Sequence, residues 1–199
     1  MRITTQRLIL REFEETDAEA VLAYHSDPLY LQYFPWTTRT REDVDFFVGR
    51  LITWGAVQPR TKFHLAVVLK SGNWVIGNCG IRLDAPDSLE GELGCEINPQ
   101  YWGNGYATEA LGAILSFGFG DLGLRRAWAT CVAENIAAQR LVEKLGLQKE
   151  QHISQHRWMK DRWWDTLVYG IHQHEWPQEM AAQIAFLEDA RHFAAQDTL

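Results

Sequence analysis

The stretch with the clearest chemical potential is Gln100-x-x-Gly103-x-Gly105-x-Ala107, which follows a strand ending at Asn98 and opens a helix. Glycines at a strand-to-helix turn let successive backbone N–H groups face one ligand. The positive end of the helix dipole adds to them, and together they make an anion cradle suited to a pyrophosphate. The spacing lacks the third glycine of the dinucleotide fingerprint, and no Lys-Ser/Thr pair follows to hold a nucleoside triphosphate with Mg²⁺. Glycines serving only a tight turn would give the same pattern, so the rest of the chain must support the cradle. On the strand before it, alternation puts Glu92, Gly94 and Glu96 on one face. Such a carboxylate either accepts a proton or is solvated or ion-paired. His64 and His156 are further titratable candidates.

The remaining reactive side chains point away from nucleophilic or metal chemistry. Cys79, Cys95 and Cys131 sit in apolar segments with no metal-ligand spacing, which suits small buried hydrophobes in a reducing compartment. His172-x-His174 places two imidazoles on one strand face without a third ligand nearby, so no metal is expected.

The elements that must position these residues read as β-α-α-β-β-β-α-β-α-β-β. Arg7 to Phe13 alternates like a strand, and Thr16-x-x-Glu19 supplies a capping box for a helix to about His25. Pro35 interrupts an aromatic loop, and Thr40 caps a helix from Arg41 to Val57. Lys62–Leu69 and Asn73–Leu83 read as strands joined by Lys70-Ser71-Gly72, and Glu92–Asn98 as a third. The glycine-opened helix runs to about Phe119. Arg126–Ala133 is a strand, Asn135–Leu145 a helix closed by Gly146, and two strands follow around His152–Trp158 and Thr166–His172. A mixed sheet with helices on its faces buries that string economically. Pro177, Met180, Ile184 and Leu187 suggest an amphipathic helix outside this order, which divides the chain into a domain of residues 1–174 and an extension of residues 175–199.

Composition bounds the rest. A chain of 199 residues with 46% apolar and 23% charged residues has the size and balance of one globular domain. A net charge of −7 is wrong for a protein whose affinity comes from neutralising nucleic-acid phosphates. No run approaches the ~18 apolar residues of a membrane span, and the opening MRITTQRLIL has no signal-peptide core. A cytoplasmic protein without nucleic-acid or membrane partners is expected.

The cradle motif, the Gly94-x-Glu96-x-Asn98-Pro99 strand end before it and Asn135 with Glu143-Lys144-Leu145-Gly146 after it resemble the GNAT superfamily of acetyl-CoA-dependent N-acetyltransferases. The opening Thr5-x-Arg7-Leu8-x-Leu10-Arg11 and the closing Asp165-Thr166-Leu167-Val168-Tyr169 look like its bacterial branch of Rim-type, ribosomal-protein N-terminal acetyltransferases. The resemblance spans roughly residues 3–172. It implies a single α/β domain: a largely antiparallel, twisted mixed sheet with splayed central strands and helices on both faces. Acetyl-CoA would be the cosubstrate, its pyrophosphate held by the N–H groups of Trp102, Gly103, Asn104, Gly105, Tyr106, Ala107 and Thr108. Pantetheine would lie along Ile97 and Asn98 like an added strand, and Asn135 would contact the cofactor arm, cap its helix, or do both.

For amide formation the resemblance implies direct attack of a primary amine on the thioester. Glu96, nearest the expected thioester, is the preferred base, with Gln in its place costing turnover chiefly at lower pH. The Ile97 N–H is the preferred oxyanion donor. The general acid departs from the family: Val142 stands where many members carry Tyr, and Ala138 where the Rim-type branch often has Ser. Tyr33, Phe34, Trp36 and Trp158 are expected to wall the acceptor site. The acceptor implied by the branch is a protein N-terminus. The alternatives are a small amine, amino acid or antibiotic, or a non-catalytic acyl-CoA-binding sensor, as a monomer or homodimer.

Overall fold

The computed structural model describes residues 1–177, so the helix expected at Met180, Ile184 and Leu187 lies outside the described residues. Strands β1 (Arg2–Thr4) and β2 (Leu8–Arg11) open the chain, and helices α1 (Ala18–His25), α2 (Pro28–Leu31) and α3 (Arg41–Ala56) follow. Then come β3 (Lys62–Leu69), β4 (Trp74–Arg82), β5 (Glu90–Ile97), α4 (Tyr106–Gly120) and β6 (Arg126–Val132). Helix α5 (Ile136–Lys144), β7 (Gln148–Met159) and β8 (Arg162–His172) complete the order. The strands form one eight-stranded sheet in the order β1-β2-β3-β4-β5-β6-β8-β7. Every pairing is antiparallel except β5 with β6.

Alternation along β3 shows how one sheet serves two layers. Leu65 and Val67 join α4 in the larger core with Leu8, Leu10, Ile81 and Ile114. Ala66 and Val68 face the other way, onto α1 and α3 through Val21, Val44, Val48 and Leu51. Apolar side chains on both faces of the strand require helices on both faces. The larger core runs on through Trp176, which is buried and lies 6.3 Å from Phe119.

Local chemistry explains where elements begin. Thr40 caps α3 as its sequence predicts: its hydroxyl accepts from the Asp43 N–H at 3.2 Å while Asp43 accepts from the Thr40 N–H at 2.9 Å. The box expected at Thr16 and Glu19 does not form. Asp17 accepts from the Glu14 N–H at 2.8 Å and is buried against Arg11 at 2.7 and 2.8 Å, so the turn closes two residues earlier and α1 starts at Ala18. The closing hairpin is longer than its alternation suggests, because Lys160 and Asp161 adopt φ of +50° and +58° and make a tight two-residue turn between β7 and β8. Strand β1 and helix α2 are too short to carry a periodic signal.

Candidate active site

The glycine turn opens α4 where the sequence places it. Gly103 and Gly105 have φ of +77° and +79°, a region that costs any other L residue about 1–2 kcal/mol. Nothing lies within 4 Å of a Cβ built on Gly103, so the approach to the loop is open. The Asn104 side chain closes the turn by donating to the carbonyls of Tyr101 at 3.1 Å and Trp102 at 3.0 Å. The first helical bond runs from the Glu109 N–H to Gly105 at 3.1 Å. The Trp102 N–H, expected in the donor set, instead donates to the Pro99 carbonyl at 3.1 Å; the N–H groups from Gly103 to Thr108 have no protein acceptor among the described residues and lie at a helix N-terminus. This donor set fits a diphosphate.

From the cradle a seam opens into the sheet. Strands β5 and β6 pair only at Glu90 with Arg126, Gly91 with Ala127 and Glu92 with Trp128, after which both continue unpaired with each other. The Asn98 N–H donates to Ile76 on the β4 side at 2.8 Å. Alternation then turns the backbone groups of Cys95 and Ile97 toward the gap. The Trp102 indole donates to the Ile97 carbonyl at 2.6 Å, which leaves the Ile97 N–H facing the seam.

Glu96 stands beside the seam on the face covered by α1 and α3, directly opposite Asn78. Its side chain is 22% exposed, while one carboxylate oxygen accepts from the Asn78 amide at 2.8 Å and the Tyr30 hydroxyl at 2.9 Å, with His25 Nε2 at 3.4 Å. Burial alone would raise this carboxyl; contacts with His25, then Asn78 and Tyr30, outweigh it and hold Glu96 below its ordinary value. His25, Tyr30 and Asn78 carry no local signal, because the fold brings His25 and Tyr30 together with Glu96 from 71 and 66 residues away.

Farther along that face His64 lies over a floor without side chains, where a Cβ on Gly94 would meet it at 3.6 Å. Its Nε2 is buried without a partner among the described residues. Burial, with Arg82 and Arg50 nearby, pushes the imidazole down to about 4, so it is neutral near pH 7. His156 instead contacts the Thr166 hydroxyl at 3.0 Å on β8.

The segment from Tyr30 to Tyr33 bridges the parted strands. Tyr30 touches Glu96 on β5, and the Tyr33 hydroxyl donates to the Glu134 carbonyl just beyond β6 at 3.1 Å. Lys160 on the β7–β8 turn anchors the segment by donating to Leu31 at 2.7 Å. Outward from His25 the rings of Tyr30, Phe34 and Trp36 stack at 4.6, 4.6 and 5.1 Å, and the Arg39 guanidinium covers Trp36 at 4.7 Å. Of the expected wall residues, Phe34 and Trp36 share this stack, whereas Tyr33 packs with Val132, Met159 and Trp164.

Trp158 is not brought to them. It pairs across the hairpin with Trp163, so both stand on the ribbon face opposite Met159 and Trp164. Trp164→Ala is therefore expected to lower unfolding free energy by about 3–5 kcal/mol in denaturant titration. Trp158→Ala, at a side chain 58% exposed, is expected to change it by no more than about 0.5 kcal/mol.

Asn135 caps α5 by accepting from the Ala138 N–H at 3.1 Å, and its amide nitrogen has no partner among the described residues. Val142 is buried in the core. Burial pushes the Cys95 thiol up to about 12 and that of Cys131 up to about 11, so neither is a thiolate near neutrality. The chain leaves β8 at His172, so His172 and His174 do not share a strand face; their rings stack at 5.6 Å. Among the described residues no group of three His, Cys, Asp or Glu is arranged to hold a metal, and no helix is long and apolar enough to cross a membrane.

Comparison with known proteins gives a consistent result. The family model described as an acetyltransferase (GNAT) domain matches residues 7–148. The uncharacterized N-acetyltransferase YnaD of Bacillus subtilis is 36% identical over 88% of this chain and 99% of its own. A crystal structure of a GNAT-family acetyltransferase from Bacillus anthracis superposes with a TM-score of 0.78 at 32% identity, covering 88% of this chain and 100% of that one. The ribosomal L7/L12 alpha-N-protein acetyltransferase RimL, solved with coenzyme A, shares the fold with a TM-score of 0.76 at 17% identity. That match covers 86% of this chain and 98% of the other.

Proposed function

The chain belongs to the GNAT acetyltransferases, and from that premise we propose that it acetylates the α-amine of a peptide or protein N-terminus by direct attack on acetyl-CoA. Acetyl-CoA supplies an activated acyl thioester; the chain's own residues orient the reactants and handle protons. The N–H groups from Gly103 to Thr108 would hold the diphosphate, with the Asn135 amide free to contact the arm. The seam offers backbone groups of Cys95 and Ile97 to the extended pantetheine, while the Asn98 N–H and carbonyl are taken by Ile76 and Tyr101. Placing amine and thioester about 3–3.5 Å apart removes much of the barrier without a covalent enzyme intermediate. Glu96 would accept the amine's proton as the new bond forms, and the Ile97 N–H would face the developing negative oxygen. With Ala138 and Val142 in place of hydroxyl donors, the sulfur would leave as a thiolate, whose parent thiol has a pKa near 8.5 like that of Cys.

The acceptor class rests on one observation: the groups around Glu96 are of mixed sign. Beside burial, Arg82 and Arg50 disfavour positive charge at His64; Arg82 is itself paired with Glu92 at 2.8 Å, so Arg50 is the cation that would repel the further positive charges of a polyamine. A single ammonium, as at a peptide N-terminus, suits these surroundings better, because it can meet the Glu96 carboxylate without bringing a second positive charge toward Arg50. The partly buried stack of Phe34 and Trp36 and the bridge at Tyr33 would then flank the rest of the peptide.

The test is thiol release from acetyl-CoA with a panel of peptides bearing free or blocked N-termini, amino acids and spermidine. Peptides with free N-termini are expected to be the best acceptors, and blocking the terminus should abolish release. Spermidine outpacing every peptide would replace this reading with a small-amine acetyltransferase. Tight acetyl-CoA binding without thiol release across the panel would favour a non-catalytic acyl-CoA sensor, the role that Ala138 and Val142 make conceivable.

A further inference from the structure

A turn distant in sequence from the cradle grips it from the side. Arg7, between β1 and β2, donates from Nε to Glu109 at 2.7 Å and from Nη1 to the Asn104 carbonyl at 2.9 Å. Its backbone N–H also donates to Glu109 at 2.7 Å, and the Thr5 hydroxyl does so at 2.6 Å. The guanidinium stacks over the Tyr106 ring at 4.5 Å, and its Nη2 would lie 3.5 Å from a Cβ on Gly105. The turn is itself fixed: Lys70 donates to the carbonyls of Thr5 and Gln6, and its N–H donates to the Arg7 carbonyl at 3.0 Å.

These contacts answer an electrostatic problem. Glu109 sits in the first turn of α4, where a negative side chain gains from the helix dipole but repels an anion bound at the same end. Its side chain is only 16% exposed, so water screens that charge poorly. The Arg7 guanidinium neutralises it while pinning the Asn104 carbonyl away from the N–H side of the loop. We propose that Arg7 is a positioning residue for the acyl donor: it cancels the Glu109 charge and locks the loop in the form whose N–H groups can receive a diphosphate. The proposal rests on the reading of that loop as the diphosphate site.

The discriminating experiment compares wild type, Arg7→Ala, Arg7→Lys and Arg7→Ala/Glu109→Gln. Each is titrated with coenzyme A by calorimetry and assayed for kcat/KM with S-acetylpantetheine, which lacks the phosphates. Arg7→Ala should weaken coenzyme A binding roughly 10-fold or more, the scale of one charge-assisted contact, and leave kcat/KM for S-acetylpantetheine within about twofold of wild type. Arg7→Lys should fall between wild type and Arg7→Ala. Adding Glu109→Gln should restore at least half of the lost affinity on a logarithmic scale, because it removes the uncompensated charge. Unchanged affinity in Arg7→Ala, a parallel fall with S-acetylpantetheine, or no recovery in the double variant would each overturn the proposal. If wild type itself binds coenzyme A no better than pantetheine, the loop is not the diphosphate site and the underlying reading falls instead.

Discussion

Gly105→Glu should abolish acetyl-CoA binding while the protein stays folded. Gly105 is in the left-handed region at φ +79°, so a side chain there adds strain of about 1–2 kcal/mol. A Cβ would make ordinary contact with Arg7 at 3.5 Å and nothing closer. The thermal midpoint of a chain this size should therefore fall by no more than about 8 °C. Binding suffers far more, because a carboxylate about 4 Å from a phosphate charge opposes it by about 4 kcal/mol at an effective dielectric constant near 20. Calorimetry should show a loss on the order of 1,000-fold. Gly105→Ala carries the strain without the charge and should lose much less. Unchanged affinity in the Glu variant would remove the cradle from the site.

Glu96→Gln should lower kcat about 10²- to 10⁴-fold, the usual range for losing a positioned base. Its pH signature follows from the environment of the carboxyl. Tyr30, Asn78 and His25 hold Glu96 below its ordinary value, so it is ionised throughout the range above about pH 5. The acidic limb of the wild-type profile then belongs to the acceptor's ammonium, which must be neutral to attack, and the variant should keep that limb while losing rate by a constant factor. This differs from the loss concentrated at lower pH, where deprotonation is most needed, that the sequence alone suggests. A variant with wild-type kcat would exclude Glu96 from proton transfer, and a loss growing steeply below pH 6 would mean that the carboxyl titrates there.

What could be read beforehand separates by range. The cradle is a local device, set by glycines spaced along one turn, and Thr40 announces α3 through residues three apart. The parting of β5 from β6 enters only through family resemblance, because no residue in either strand forbids further pairing. The partners of Glu96 were invisible for another reason: Tyr30 and His25 carry no motif, and only the packing of α1 and α2 on the sheet brings them there. Trp158 and Trp164 show how finely a strand's facing depends on its turn. The Lys160-Asp161 turn sets the register of β7 on β8, and a shift of one residue exchanges the two faces.

The incomplete pairing of β5 and β6 bears on how the chain behaves in a crowded solution. Unsatisfied peptide groups at the rim of a sheet template growth, since any passing segment can add itself and expose a fresh rim. Here the vacant hydrogen-bonding positions lie in the interior, with antiparallel neighbours already attached behind β5 and β6. One slender linear guest can enter, and afterward no further rung is offered. This seam, unlike the outer rims at β1 and β7, thus offers the recognition capacity of a naked strand without a fresh rim on which copies could keep adding.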